Sequence, residues 1–343
     1  MCWIAACSMV SPARILLTLV FLTLPLAARA QPFTFLAFGD MPYCRPGDAA
    51  HCEFEQRRLD TLIGRMNAAR PAFSVFLGDT KAGNEPCTEA IVVGRTQRWF
   101  GLFEHPLVYT PGDNEWTDCW QPRAGGHDPV AMLARLRQAF FARPESLGRE
   151  TMPLTRQTDI DPANAAYVEN ARWEHHGVVF ATVHVVGSDN NRPPEAGAQP
   201  PGAAEEFPAR DAANRAWIAE AFAEAGRTGA PALVLMIQAD MYFGDRCGFG
   251  DTEGVRATRI ALAEGAARFG RPVLLLHGDS HFFLADYPVR DAENRVLGNV
   301  LRVMVPGAQD IRAVRIEVDP AAAEPFAVAP FGIVDQPRGP SCP

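Results

Sequence analysis

Four apolar runs in this chain end in the same dipeptide, Gly-Asp: Phe33 to Phe38 before Gly39-Asp40, Phe73 to Leu77 before Gly78-Asp79, Leu107 to Pro111 before Gly112-Asp113, and Val273 to His277 before Gly278-Asp279. Each run is short, apolar and stopped by glycine, as a buried strand is, so each aspartate falls where a strand meets a loop at the carboxyl edge of a sheet. One strand-Gly-Asp is ordinary turn chemistry. Four of them constrain the fold, because parallel strands deliver their carboxyl ends to one edge, where open α/β sheets bind ligands. Carboxylates gathered there repel one another unless a cation lies among them, so the pattern asks for metal ions.

Between the strands, residues 53–70, 88–103, 130–141, 210–226 and 254–269 carry apolar side chains at three-and-four spacing and are predicted helices. Further strands are predicted at 178–187, 232–238, 282–287, 300–305 and 314–318. The alternation is that of an α/β fold. The five prolines within 192–208 predict a surface loop, and the tail from about 320 reads as irregular, tied down by Cys342.

Arg14, the apolar stretch Ile15 to Leu26 and Ala28-Arg29-Ala30 have the layout of a signal sequence, residues 1–30, ahead of a single domain over 31–343. The stretch falls short of the ~20 residues of a membrane span, so a secreted or periplasmic protein without a membrane anchor is expected. Once Arg14 and Arg29 leave with it, the formal charge moves from −8 to −10, which argues against nucleic acid or an anionic membrane as the main partner. Cys44, Cys52, Cys87, Cys119, Cys247 and Cys342 remain, an even set in an oxidising compartment. Three disulfides are expected, with Cys44 to Cys52 and Cys87 to Cys119 as pairings, the second because both lie in loops after metal-edge strands. No Cys-x-x-Cys pair supports a zinc-cysteine cluster.

The order strand-Gly-Asp, helix, strand-Gly-Asp, helix, strand-Gly112-Asp113-Asn114-Glu115, then Gly278-Asp279-Ser280-His281, resembles the calcineurin-like metallophosphoesterases, which include the purple acid phosphatases. The resemblance spans roughly residues 33–287, and its strength lies in the order and strand context of motifs that are weak singly. It implies a β-sandwich flanked by helices in four layers, αββα, with two divalent cations. By the same resemblance Asp40 binds one metal, Asp79 bridges both, and His281 is a late imidazole ligand. In the third motif the family has Gly-Asn-His-Glu. Aligned without a gap, Asp113 takes the metal-binding position and Asn114 that of the catalytic histidine; a slip by one residue makes Asn114 the ligand. The fourth motif offers Gln238 or Asp240. In the fifth, Asp279 replaces a histidine, with His277 two residues earlier. Pro42 stands where some members have histidine, and Ala82 where purple members have a tyrosine.

Histidine positions have thus become Asp, Asn and Gln. Oxygen donors suit Mg²⁺, Mn²⁺ or Ca²⁺ better than zinc or iron, and without a tyrosine at 82 the protein is expected to be colourless. Asn114 cannot protonate a leaving group, which leaves His184, on an apolar strand, and His277 as candidate acids, each with a structural role as the alternative. His175 and His176 read as turn residues before a strand, and Trp116 and Trp120 as pocket walls or packing. The expected activity is hydrolysis of a small-molecule phosphate mono- or diester by a hydroxide generated between two cations. The alternative is a non-catalytic, cation-binding descendant of the same fold. A minor alternative is a serine esterase using Ser280, disfavoured because it leaves three Gly-Asp edges unexplained.

Overall fold

The computed structural model describes residues 1–3, 31–247 and 252–333, so most of the expected signal segment and Cys342 lie outside the described residues. The described strands form two mixed sheets. In the first, β1 (Phe33–Phe38), β2 (Ser74–Phe76) and β3 (Leu107–Tyr109) are parallel neighbours, and β11 (Ala313–Val318) and β12 (Phe326–Phe331) extend it antiparallel beyond β1. In the second, the order is β4 (Thr155–Arg156), β5 (Ala171–His175), β6 (Val178–Thr182), β7 (Leu233–Met236), β8 (Val273–His277), β10 (Val300–Met304) and β9 (Leu284–Asp286). Strands β6, β7, β8 and β10 are parallel. No helix among the described residues is long and apolar enough to cross a membrane.

Strand side chains alternate between faces, and the alternation builds three apolar layers. Phe35 and Ala37 of β1 join Val75, Phe180, Val234, Met236, Leu274 and Leu276 in a core between the two sheets. Leu36 and Phe38, pointing the other way, pack with α1 (Ala49–Ala69) and α2 (Pro129–Phe140) through Leu59, Leu62, Met66, Leu133 and Leu136. On the far face of the second sheet, Val179, Ala181, Leu235 and Leu275 meet α3 (Ala203–Thr228) and α4 (Glu253–Phe269) through Trp217, Ala221, Val255 and Leu262. Two facing sheets with helices outside both make four layers, αββα, the arrangement expected from the sequence. Phe180, fully buried and in ring contact with Phe35, Phe73 and Trp173, ties the two sheets together; its replacement by alanine should cost about 3–5 kcal/mol.

The structure departs from the sequence reading in four places. The Gly-Asp strands do not share one sheet: β1, β2 and β3 lie in the first and β8 in the second, so two carboxyl edges supply the aspartates. Within 192–208, α3 already starts at Ala203 and contains Pro208, because fully buried Ala203 and Arg210 anchor its first turns and the proline forfeits only one ladder bond. The tail is ordered as β12, whose Pro330 is tolerated on an edge strand. His175 belongs to β5 and contacts Phe33 and Phe73, while His176 and Gly177, at φ 48° and 82°, make the hairpin turn to β6. Cys44 is bonded to Cys52 and Cys87 to Cys119, and Cys247 is disulfide-bonded to a cysteine outside the described residues.

Candidate metal centre

The strand ends of both sheets converge on one cluster of acids. Asp40, Asp79 and Asp279 follow their strands in the left-handed region, at φ 56°, 62° and 77°, a conformation that aspartate tolerates better than most residues and that turns each carboxylate back over the sheet edge. The preceding glycines do more than stop strands. A Cβ on Gly112 would run into Oδ1 of Asp79, and one on Gly278 into Oδ2 of Asp40. Each of these motifs leaves room for another motif's carboxylate.

Backbone groups then hold those carboxylates across motifs. The Asp279 N–H donates to Asp40 Oδ1 at 3.0 Å, the Asn114 N–H to Asp79 Oδ1 at 3.1 Å, and the Asp240 N–H to Asp279 Oδ2 at 2.9 Å. Glu115 locks the third motif from below, its Oε1 accepting from the Gly112 N–H, the Tyr109 hydroxyl and the Asp79 N–H at 2.8, 2.7 and 3.2 Å. His281 places Nε2 3.6 Å from Asp40 Oδ1, and donor atoms of Asp40, Asp79 and His281 all lie within 4.8 Å of one another. On the other side, Asp113 accepts from Gln238 Nε2 at 3.0 Å and from Ser188 Oγ at 2.7 Å. The Asn114 amide instead lies over Asp79, donating to its Oδ2 at 2.8 Å. The predicted residues Asp40, Asp79, Asp113, Asn114, Gln238, Asp279 and His281 are therefore together in space.

Charge balance separates these acids from their neighbour. Among the described residues, Asp40, Asp79, Asp113 and Asp279 form no ion pair with lysine or arginine, although the first three are buried. Burial and neighbouring carboxylates hold all four carboxyls up: Asp40 next to Asp279 and Asp113, Asp79 next to Asp113 and Asp40, Asp113 next to Asp279 and Asp118, and Asp279, next to Asp240 and Asp118, to about 6. Asp240 is different. Burial would raise it too, but Ser280, Arg246 and Arg302, at 2.7, 2.7 and 3.3 Å, surround it and it is held below the usual carboxylate range. His277 beside it, itself pushed down to about 4 by burial, is charged in the acid range where Asp240 titrates and leads the groups that lower it, followed by Ser280 and Arg246. Of the two residues the fourth motif offers, Gln238 bonds to the unneutralised cluster and Asp240 to arginines.

Unneutralised carboxylates with one imidazole fit a hard divalent cation, and the donor atoms of Asp40, Asp79 and His281 lie close enough together to share one. Asp113 and Asp279 lie beside that group, and Gln238 gives its Nε2 to Asp113 while its Oε1 accepts from the Gly187 N–H at 2.7 Å. Cys44, Cys52 and Glu85 also lie together, but both sulfurs are in a disulfide.

Three expectations about chemistry are corrected. His184 is fully buried, bonded through Nδ1 to Glu169 at 2.8 Å and in tilted ring contact with Trp116, and neither partner belongs to the cluster. His277 is fully buried too, with Nδ1 against the Gly278 carbonyl. Neither is placed to give a proton to a substrate. The Ser280 hydroxyl donates to Asp240 and accepts from Arg246, so its proton is held by a carboxylate and not by the imidazole base that a serine nucleophile uses. Trp116 is core packing beneath Arg210, and the Arg192 side chain pairs with Asp189 and Glu195.

Three residues of the centre carry no sequence signal of their own. Ser188 heads four consecutive left-handed residues, Ser188 to Asn191, and its hydroxyl stands between Asp113 and Asp118, at 2.7 and 2.8 Å. Left-handed backbone costs roughly 1–2 kcal/mol per residue, offset here by buried Arg210 and by side-chain bonds of Asp189 and Asn190 to Gly254. Lys81, fully buried, donates to the Ala82 carbonyl at 3.0 Å; burial lowers its amine while Glu115, Glu85 and Asp79 pull it up. Tyr43, half-buried, donates to Asp79 Oδ2 at 2.8 Å, and burial with Asp79 and Asp40 holds its phenol well above its ordinary range.

Comparison with solved structures finds similarity to a dimetal phosphatase from Danio rerio, with a TM-score of 0.46 and 11% identity over 88% of this chain and 100% of that one. A phosphopantetheinyl hydrolase from Mycobacterium tuberculosis is similar at a TM-score of 0.41 and 14% identity, over 80% of this chain and 89% of that one. No protein-family model and no curated protein matches the chain.

Proposed function

We propose that this protein is an exported metal-dependent phosphoesterase that hydrolyses small-molecule phosphate mono- or diesters. The observation that carries the reading is the set of four converging carboxylates, three of them buried, that have no ion pair with lysine or arginine among the described residues. Held so without counter-charge they repel one another, and the left-handed aspartates and cross-motif glycines are spent on keeping them together. Two divalent cations there would neutralise phosphoryl oxygens and supply a nucleophile at neutral pH.

The chain's own groups have distinct parts in this scheme. Asp40, Asp79 and His281 hold one cation, and Asp113, Gln238 and Asp279 the other, with Asp79 common to both. The gap-free alignment of the third motif is preferred, since Asn114 lies over Asp79, where its amide can orient a phosphoryl oxygen but not donate a leaving-group proton. The substrate therefore has a leaving group that departs without a side-chain acid, or takes its proton from solvent. Mg²⁺, Mn²⁺ or Ca²⁺ suits the oxygen-rich donors. Export of a single domain after a signal segment agrees with the disulfides at Cys44, Cys87 and Cys247, which belong to an oxidising compartment.

The test is to strip the protein with chelator and return each divalent cation in turn. Aryl phosphate mono- and diester turnover is then measured alongside bound metal by elemental analysis. Two ions per chain with turnover are expected. One ion or none, without turnover, would instead establish the non-catalytic descendant, which the replaced histidines favour.

A further inference from the structure

We propose that the phenol oxygen of Tyr43 is a protein ligand of the cation held by Asp40, Asp79 and His281, a proposal that rests on the two-cation reading above. Its first support is distance. Tyr43 Oη lies 2.8 Å from Asp79 Oδ2 and 3.2 Å from His281 Nε2, and that nitrogen lies 3.6 Å from Asp40 Oδ1. Ligand atoms about 2.1 Å from a common octahedral cation are about 3.0 Å apart along an edge. The phenol oxygen therefore sits about one coordination edge from two of the three other donors, already on the polyhedron they outline.

Proton arithmetic points the same way. A phenol has one proton, yet Oη stands between two acceptors, the Asp79 carboxylate and, in its Nδ1-protonated form, the His281 imidazole, while also accepting from Asn114 Nδ2 at 2.9 Å. One proton serves one acceptor; a cation bonded to phenolate, carboxylate and imidazole serves all three. On coordination the O–H bond breaks, the proton passes to solvent, an oxygen–metal bond forms, and no oxidation state changes.

The side chain is also fixed for this task. Its ring meets His281 edge-on, with centroids 5.2 Å apart at 87°, and the next residue, Cys44, is anchored by its disulfide and by a hydrogen bond from its N–H to Glu85. Pro42, one residue earlier, has no donor atom to offer. Tyr43 thus brings an anionic oxygen from the end of β1, although Ala82 removes the tyrosine expected after β2.

Phenolate bound to ferric iron absorbs visible light by charge transfer, which gives a readout independent of turnover. Stripped protein is loaded from ferric citrate, bound iron is counted, and visible and resonance Raman spectra are recorded for wild type, Tyr43→Phe and the exposed control Tyr287→Phe. The expected result is a coloured wild type with tyrosinate vibrations, a control that matches it, and a colourless Tyr43→Phe that still binds iron. Mn²⁺ affinity of Tyr43→Phe should fall about tenfold or more. Should Tyr43→Phe not fold, a wild type that binds iron without a tyrosinate band still overturns the proposal. Iron bound without a tyrosinate band, or a band surviving in Tyr43→Phe, overturns the proposal and leaves the two-cation reading standing. Wild type that takes up neither iron nor manganese overturns both.

Discussion

Asp279 and Asp240 end neighbouring strands, and the N–H of Asp240 donates to the Asp279 carboxylate at 2.9 Å, yet the two acids are held in opposite states. Asp279 is pushed up to about 6, whereas Asp240 is held below the usual range. The desolvation is of the same kind; the counter-charge differs. Arg246 and Arg302 complete the charge balance of Asp240 within the chain, while Asp279, like Asp40, Asp79 and Asp113, has no such partner. A buried acid by itself therefore says little about function. An acid left without a side-chain cation, beside others in the same condition, marks a place for an ion from outside.

The sharpest way to break this contrast is Asp79→Asn. Losing the shared ligand should lower metal affinity by more than about 100-fold, above what loss of an outer partner costs, and remove most turnover while the fold survives. Equilibrium dialysis with elemental analysis, beside aryl phosphate turnover, measures both. Asp240→Asn is the matched control and should keep two ions. Unchanged stoichiometry in Asp79→Asn would end the two-metal reading.

On the arginine side, Arg302→Met leaves Asp240 with one arginine fewer and also unpairs Asp286, at 2.6 Å. Removing one partner of a buried pair costs about 3–5 kcal/mol, so chemical denaturation should move strongly while the metal count stays at two. The penalty should shrink in the Asp240→Asn background, because the stranded charge is then gone.

Smaller effects come from pH. The folded-state carboxyls of the cluster are raised, so the metal-free fold binds more protons than the unfolded chain, and the cluster's contribution is complete below about 4. It is lost as pH rises through about 6, the level of Asp279, and further as the more strongly raised acids ionise. Calorimetry in chelator should show a falling Tm over that interval, worth about 1–2 kcal/mol for Asp279 after solvent screening. Excess Mn²⁺ should remove the fall, since the cation binds the ionised form. A metal-free Tm that rises from pH 4 to 7 would contradict the assignment of the unneutralised acids.

The smallest change is Ser188→Ala. It deletes two hydrogen bonds, to Asp113 and Asp118, and should cost about 1 kcal/mol and roughly fivefold in metal affinity, read by the same dialysis. No loss of affinity would separate the left-handed turn from the metal centre.

Much of the centre is legible in the sequence because its residues are tied to strand ends. An apolar run stopped by Gly-Asp fixes both the strand and the place of the acid, and Asp40, Asp79, Asp113 and Asp279 follow from that alone. The even cysteines likewise announce disulfides. Tyr43, Ser188 and Lys81 belong to the centre as well, but they sit in loops whose spacing has no period, and nothing local says which way they point. His184 and His277 fail in the opposite sense: an imidazole on an apolar strand has the same sequence signature whether it meets a substrate or Glu169.

By itself, then, the sequence determined the strands, their alternating faces and the acids that end them, since these depend on local polarity and on glycine's freedom to turn. Only the tertiary structure decided that the Gly-Asp strands divide between two facing sheets, that Gly112 and Gly278 make space for Asp79 and Asp40, and that Arg246 and Arg302 reach Asp240 while none of the four Gly-Asp carboxylates has an ion pair with lysine or arginine among the described residues. Those outcomes depend on contacts between residues as far apart as 40 and 279. The energy of a buried charge is set by what lies within a few ångströms in space, whatever its separation along the chain.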